Sequence, residues 1–569
     1  MSNRMSDGTS EGTSDRAGML RSTGVMAAGT TVSRALGFVR STMIVAAVGA
    51  VGLHADIFNY ANTVPNMLYI LVAGGVFNTV LVPQIVRAMR SDADGGEAYV
   101  NRILTLSGLF LAGVTAALVA AAPWVMRVLA GEKLFAEELS AQTESFLDFA
   151  RYCLPQVFFY GVFVLVGQVL NARGRFGPMM WAPIANNLVA IAVLAGYLLL
   201  YGGAAGAGAY SSGEELLLGL GSTLGIAVQT AVLVPCLRRA GFRYRPRFDF
   251  RGSGLGQTLR LGGWTLLFVV VNQVAYIVVG RIATNASATA ALRGEVSSGY
   301  TTYAYAFLLV MVPHSIITVS LATAALTRLS ELASDGRLDR VRQELALTLR
   351  QSLALVTPFC TLLVVLGPFL AVVMFSWGAA EGDTAPLGRT LVAFAPALFF
   401  FTVHFLVLRG FYALEDTRTP FLLQCVTAAT NIVAAVVITA LTSTLDVAPL
   451  LAVAYGLAYA VGATVSATVL SRRLRARAFA GLLRFVAAVT LAAALAAGLG
   501  WLVVRLLLEL GVDPASKPGS LLLLVAAGLV AGLGYVGLAR LLRLREVTDI
   551  AHQLGGGIAS RLRRRRNHT

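Results

Sequence analysis

Arg34 and Arg40, in the segment SRALGFVR (33–40), stand inside an apolar run from residue 24 to residue 51 that contains no acidic residue. An arginine at the middle of a membrane-spanning helix costs about 2.5–3.5 kcal/mol on insertion scales, a penalty that contact with lipid tails does not repay. Six residues advance a helix by about 600°, which sets the two side chains about 120° apart. They can line a wide cavity but cannot fork onto one ligand group. A cationic cavity for an anionic substrate is one reading; arginines hydrogen-bonded to carbonyls between helices is the other.

A second set of polar residues follows. Asn59, Asn62, Asn66 and Tyr69 recur at spacings of three, four and three, which is one face of one helix. Such a stripe is a polar cavity wall or a set of interhelical hydrogen bonds. Asp56 heads this run, either as its N-cap or as the partner of a moving arginine. Later in the chain, Asn272, Gln273 and Tyr276 share a helix, and Tyr303 and His314 flank a run that contains Pro313. A single intramembrane histidine reads as a satisfied hydrogen-bond donor, with a proton relay as the alternative.

No residue set has the spacing of catalysis. The four cysteines, Cys153, Cys236, Cys360 and Cys425, fall in or beside separate helices, and the five histidines form no ligand pair. Neither a redox pair nor a metal site is expected, nor any cofactor, and the chain reads as a protein that is not an enzyme.

The elements that position these residues are membrane helices. Of 569 residues, 57% are hydrophobic and 13% charged, and the mean hydropathy is +0.73. A soluble protein carries about 25% charged residues, so a water-soluble multidomain enzyme is excluded. Apolar segments lie near 24–51, 57–86, 101–130, 146–172, 179–201, 214–237, 259–284 and 299–327. Six more lie near 347–374, 388–412, 420–441, 447–470, 480–508 and 519–542. Segments of this length satisfy their own backbone in lipid only as helices, and they lack the period-two alternation of barrel strands. The expectation is an all-α polytopic membrane protein with about 14 transmembrane helices.

The net charge of +16 is mostly topological. With the amino terminus inside, 35 of the 45 basic residues fall on the inner side and eight on the outer, so both termini are expected in the cytoplasm. Arg34 and Arg40 are the two left over. The runs Arg472–Arg477 and Arg563–Arg566 read as anchors against anionic membrane lipids, and nucleic acid is not an expected partner. Residues 1–18, rich in Ser, Gly, Thr and Asp, read as a disordered cytoplasmic tail.

The chain also repeats itself. FFYGVFVLVGQVLNARGRFGP (158–178) and FFFTVHFLVLRGFYALEDTRTP (399–420) share an aromatic start, a helix, a polar turn and a proline that opens the next helix. The offset of about 241 residues spans six segments, and an even number preserves orientation. This predicts two six-helix lobes related by a pseudo-two-fold axis along the membrane normal: an N-lobe over 19–240 and a C-lobe over 255–472. Two helices over 478–545 and a basic cytoplasmic tail over 546–569 remain outside the repeat.

Four stretches carry a resemblance: SRALGFVR (33–40), ANTVPNMLYILVAGGVFNTVLVPQIVRAMR (61–90), LNARGRFGPMMWAPIANN (170–187) and RGFYALEDTRTP (409–420). They are similar to the MurJ/MviN lipid II flippases of the multidrug/oligosaccharidyl-lipid/polysaccharide exporter superfamily. VPHSIITVSLATAALTRLS (312–330) resembles the actinobacterial branch. The resemblance implies fourteen helices in the bacterial cytoplasmic membrane. It also implies alternating-access transfer of a polyprenyl-pyrophosphate-linked disaccharide-peptide, lipid II, to the outer leaflet for cell-wall synthesis. A cationic cavity between lobes, a lipid-tail groove formed with helices 13 and 14, and cell-wall synthesis proteins as partners belong to the same expectation.

Arg34, Arg40 and Asp56 match family positions, and with Asn62, Asn66, Tyr69, Asn272 and His314 they form the expected substrate-binding set. The pattern departs at Tyr69 and Leu308, where the family has arginines, and at Ser41 and Gly74, where it has acidic residues. Alternatives are export of another polyprenyl-linked glycan, drug/cation antiport, or a membrane scaffold for cell-wall enzymes.

Overall fold

The structure, a computed structural model, describes residues 8–71, 88, 96–203, 208–249, 255–442, 445–474 and 481–549. Among these residues there are helices and no strand. Thirteen helical stretches are long and apolar enough to cross a membrane, and they coincide with all but the second of the fourteen expected segments. That second segment begins as the helix Gly52–Tyr69 and runs into residues outside those described. The first helix is Gly8–Val48, so it starts inside the segment read as a disordered tail. Residues 8–23 contain no proline, and a helix nucleated in the apolar segment propagates backward at one hydrogen bond per residue.

The chain divides into two compact units. The first comprises residues 1–49, 57–129 and 135–269, and the second 50–56, 130–134 and 270–569. The division differs from the expected lobes in three respects. Residues 255–269, expected at the start of the C-lobe, belong with the first unit. Two short segments, 50–56 and 130–134, belong with the second unit. The helices over 478–545 are part of that unit as well.

In the first unit, Gly8–Val48 packs along Gly177–Leu200, which packs on Ser212–Ala231. Pro178 opens the middle helix, where its fixed φ suits the first turn. The third is started by a capping box: the Glu214 backbone N donates to Ser211 Oγ (3.4 Å), and Ser211 N donates to Glu214 Oε2 (2.8 Å). Tyr197 donates to the other Glu214 oxygen at 2.8 Å and ties the two helix ends together. Thr223 and Thr230, seven residues apart on one face, donate to the carbonyls of Tyr152 and Phe159. Polar side chains thus replace hydrophobic drive where surrounding lipid supplies none.

In the second unit, Ala385–Ala413 is packed by Val447–Arg473 and Leu338–Phe375. The hairpin of Leu482–Glu509 and Lys517–Leu541 docks on Leu338–Phe375. Its seam is alanine-rich, with Ala492, Ala493, Ala496 and Ala539 buried against Leu353 and Ala354, and Tyr535 donates to the Ala354 carbonyl at 2.7 Å.

The internal repeat reappears as local geometry. After Gln156–Ala172, Gly174 takes φ +72°, Gly174 N donates to the Asn171 carbonyl (2.9 Å), and Arg175 N to the Leu170 carbonyl (2.8 Å). After Ala385–Ala413, Glu415 takes φ +57°, its N donates to Tyr412 (3.0 Å), and Asp416 N to Phe411 (3.0 Å). Both turns are the same helix-terminating motif. The glycine of the first copy is a glutamate in the second.

Candidate functional site

Each unit holds an internal cavity whose walls are built from the polar residues of its own apolar helices. The first unit's cavity is lined by Arg40, Asn62, Gln156, Tyr160, Asn186 and Ser222 on its polar side and by Phe58, Val193 and Ile226 among its apolar neighbours. Its volume is about 40 Å³, room for about three waters. Gln156 Nε2 donates to Asn62 Oδ1 at 3.0 Å, which fixes both amides. Asn187 donates to the Ser33 carbonyl at 2.9 Å; this bond pins the arginine-bearing helix to Gly177–Leu200 one residue beyond the cavity-lining Asn186.

Arg40 is half-buried at this cavity, whereas Arg34 is exposed on the same helix. Their separation is about 9 Å along the axis and about 120° around it. The two arginines therefore do not converge on one point. The asparagine stripe divides as well: Asn59 is buried, Asn62 lines the cavity, and Asn66 is exposed. Tyr69 is buried among apolar side chains, stacked on Tyr160 at 5.7 Å, with a hydroxyl that has no hydrogen-bond partner among the described residues.

Asp56 does not head its own helix, which starts at Gly52. It is 1% exposed and accepts from three donors: Ser287 Oγ (2.7 Å), Tyr300 N (2.8 Å) and Thr301 N (2.7 Å). The carboxylate caps the first turn of Tyr300–Pro313, where backbone amides and the helix dipole favour a negative charge. The expected N-cap exists, but on a different helix. Two further bonds lie in the same place: Gly52 N donates to Ser297 O (3.0 Å) in the loop before that helix, and Thr302 Oγ1, in its first turn, donates to Ala50 O (2.8 Å).

The second unit's cavity is about 180 Å³. Asn272, Gln273, Tyr276, Gln424 and Asn431 line its polar side, and Tyr303, Phe307, Tyr455 and Tyr459 its aromatic side. None of its lining residues is charged. Gln424 Nε2 donates to Asn272 Oδ1 at 2.8 Å, and Asn431 Oδ1 is buried with no hydrogen-bond partner among the described residues. His314 lies apart from this cavity in the π-helical turn His314–Thr318. It is buried, with Nδ1 3.2 Å from Thr402 Oγ1 and the Phe401 and Phe405 rings 4.6 and 4.9 Å away. That surrounding suits the satisfied-donor reading. Arg409, counted with the inner turns by sequence, is half-buried with its guanidinium 4.2 Å from the Phe405 ring centre, a cation–π contact.

Of the departures from the family pattern, Ser41 donates to the Gly37 carbonyl at 2.9 Å, Leu308 is 40% exposed, and Gly74 lies outside the described residues. Among the described residues no group of three or more metal-ligating side chains forms. Sequence reasoning passed over Gln156, Tyr160, Asn186, Gln424 and Asn431. Their signal was available: each is polar within an apolar helix, and Asn186 lies in a stretch already singled out.

The chain is similar to several known proteins. The chain is 26% identical over 427 residues to the "Probable lipid II flippase MurJ" of Vibrio cholerae, covering 73% of this chain and 76% of that one. It is 27% identical over 403 residues to the protein of the same description from Rhizobium meliloti, covering 70% and 71%. A solved structure described as "Lipid II flippase MurJ, inward closed conformation" superposes with a TM-score of 0.68 at 16% identity, over 91% of this chain and 99% of that one. An inward-facing multidrug resistance MATE family transporter of the MOP superfamily superposes with a TM-score of 0.61 at 14% identity, over 77% and 94%. At these identities the two structures establish a shared fold. The family profile described as "Lipid II flippase MurJ" matches residues 44–516, and the chain belongs to that family.

Proposed function

We propose that this protein carries lipid II from the inner to the outer leaflet of the bacterial cytoplasmic membrane, with Arg40 as the principal contact for the pyrophosphate. The observation that carries this reading is a single cation at a small polar cavity inside a membrane helix bundle, flanked by the amides of Asn62, Gln156 and Asn186. A guanidinium matches phosphate oxygens with paired donors, and the amides suit sugar hydroxyls. A cavity of about 40 Å³ holds water and not a disaccharide-pyrophosphate, so transport requires it to widen. Two lobes rocking about the substrate supply that widening, with both termini on the cytoplasmic side and the polyprenyl tail remaining in lipid. Exposed Arg34 lies on the same helix, where it serves as an approach cation. Moderate charge favours release, because tight binding in one state slows turnover.

The test is the appearance of lipid II at the outer leaflet after depletion of the protein, with rescue by the wild-type chain. Unchanged export on depletion, together with failure to rescue a flippase-deficient strain, overturns the assignment.

A further inference from the structure

After the helix Leu233–Arg239 the chain turns at Ala240–Gly241, and residues 242–249 run as a strap without regular secondary structure, pinned by the helix Glu97–Ala120. Arg245 N donates to Asn101 Oδ1 (2.8 Å), Arg247 N donates to Thr105 Oγ1 (3.1 Å), and the Tyr244 hydroxyl lies 3.0 Å from the same threonine oxygen. At the far end Arg102 pairs with Asp249 and holds its carboxyl below the usual carboxylate range. At the near end Arg173 donates to the Ala240 carbonyl (3.0 Å) and lies 5.1 Å from the Phe242 ring centre. Side chains from helices on both flanks thus fix the strap.

The strap closes one end of a groove of about 770 Å³ within the first unit, inside the range of small-molecule sites. Its walls are apolar, built from Leu104, Phe158, Val162, Leu165 and Val234, and its polar end carries Arg238 and Arg243, both exposed. Among the described residues, the acidic side chains at the ends of these two elements are engaged: Asp249 by Arg102, and Glu97 by Arg173 at 3.5 Å. A soluble anion gains nothing from the apolar walls, and a neutral lipid gains nothing from the cations. The combination fits an amphiphile with a negative head.

We propose that this groove binds an anionic phospholipid, its acyl chain between Leu104, Phe158, Val162 and Val234 and its phosphate against Arg238 and Arg243. The site is separate from the Arg40 cavity and does not depend on the transport reading. A lipid held here braces the strap against Glu97–Ala120 and couples the unit's packing to the composition of the surrounding leaflet.

Gly108 supplies a clean probe. It lines the groove, and a Cβ built on it meets nothing within 4 Å, so the side chain of Gly108→Phe starts in open space at the groove wall and takes up room the acyl chain needs. The experiment is native mass spectrometry of the full chain released from micelles doped with phosphatidylglycerol or phosphatidylcholine. The wild type should retain phosphatidylglycerol preferentially. Arg238→Ala and Arg243→Ala should each weaken retention about fivefold, the equivalent of one basic residue at a membrane surface. Gly108→Phe should abolish it, and the double Arg→Lys variant should keep most of it. Equal retention of both lipids by the wild type overturns the proposal. So does undiminished phosphatidylglycerol retention in the double alanine variant or in Gly108→Phe. Displacement by undecaprenyl phosphate at equimolar amounts overturns it in a specific direction, by assigning the groove to the substrate's tail.

Discussion

The two cavities differ in the one feature that matters most at membrane depth. That of the first unit is small and holds a guanidinium; that of the second is several times larger and wholly uncharged. Both are stitched by one amide–amide bond, Gln156 to Asn62 in the first and Gln424 to Asn272 in the second. The shared element is therefore structural, and the arginine is the distinguishing one. A neutral amide in a bundle orders its neighbours, whereas a cation demands an anion or a ring of carbonyls. On the proposed function, head-group recognition falls to the first unit, and the second unit's cavity is an aromatic and amide box.

The sharpest way to break this contrast is at Arg40. Arg40→Ala should reduce lipid II export to background in a complementation assay while folded protein is retained, and Arg40→Lys should restore part of it, because charge returns without the fork. Full complementation by Arg40→Ala ends the assignment of head-group recognition to the first unit.

Next in size is a stability effect in the second unit. Asp56→Ala strands three donors at a buried helix start, and should cost about 3 kcal/mol, seen as a thermal midpoint lowered by several degrees in micelles. An unchanged midpoint means the cap is not what holds that turn.

The amide stitches come third. Gln156→Leu and Asn272→Leu should each cost about 1 kcal/mol by orphaning a partner. Export should fall several-fold for Gln156→Leu, beside the cation, and stay within twofold for Asn272→Leu. Equal losses of export would erase the functional difference between the cavities.

The smallest effect concerns the repeated turn. Glu415→Gly should stabilise by ~0.5 kcal/mol, since a left-handed non-glycine residue costs ~1–2 kcal/mol and the added chain entropy of glycine offsets part of the relief. Gly174→Glu should destabilise by a similar amount. Both are read from thermal midpoints. A gain from both substitutions, or a loss from both, means the two turns are not equivalent.

Much of this was legible in the sequence. Thirteen of the described helical stretches fall on expected segments, because lipid leaves a backbone no alternative to internal hydrogen bonds and the apolar length is written directly in the chain. The repeated turn was visible as a polar segment between a helix and the proline that opens the next in both copies. Arg40 stood out because charge is scarce in such helices. The partners of these residues were less legible. Asp56 was visible as a carboxylate near a helix start, yet the helix it caps begins some 240 residues later. Tyr69 belonged to a regular polar stripe and is instead buried in an apolar cluster.

The sequence by itself determined the apolar helices and the presence of two arginines that the expected topology does not explain. These follow from local composition and the cost of exposing backbone or charge to lipid, which each segment meets alone. Only the tertiary structure decided that Arg40 and not Arg34 reaches the cavity, that Gln156 and Asn186 join it, and that Asp56 serves another helix. Those outcomes depend on how each helix is rotated about its axis, which is set by the packing of neighbours distant in sequence.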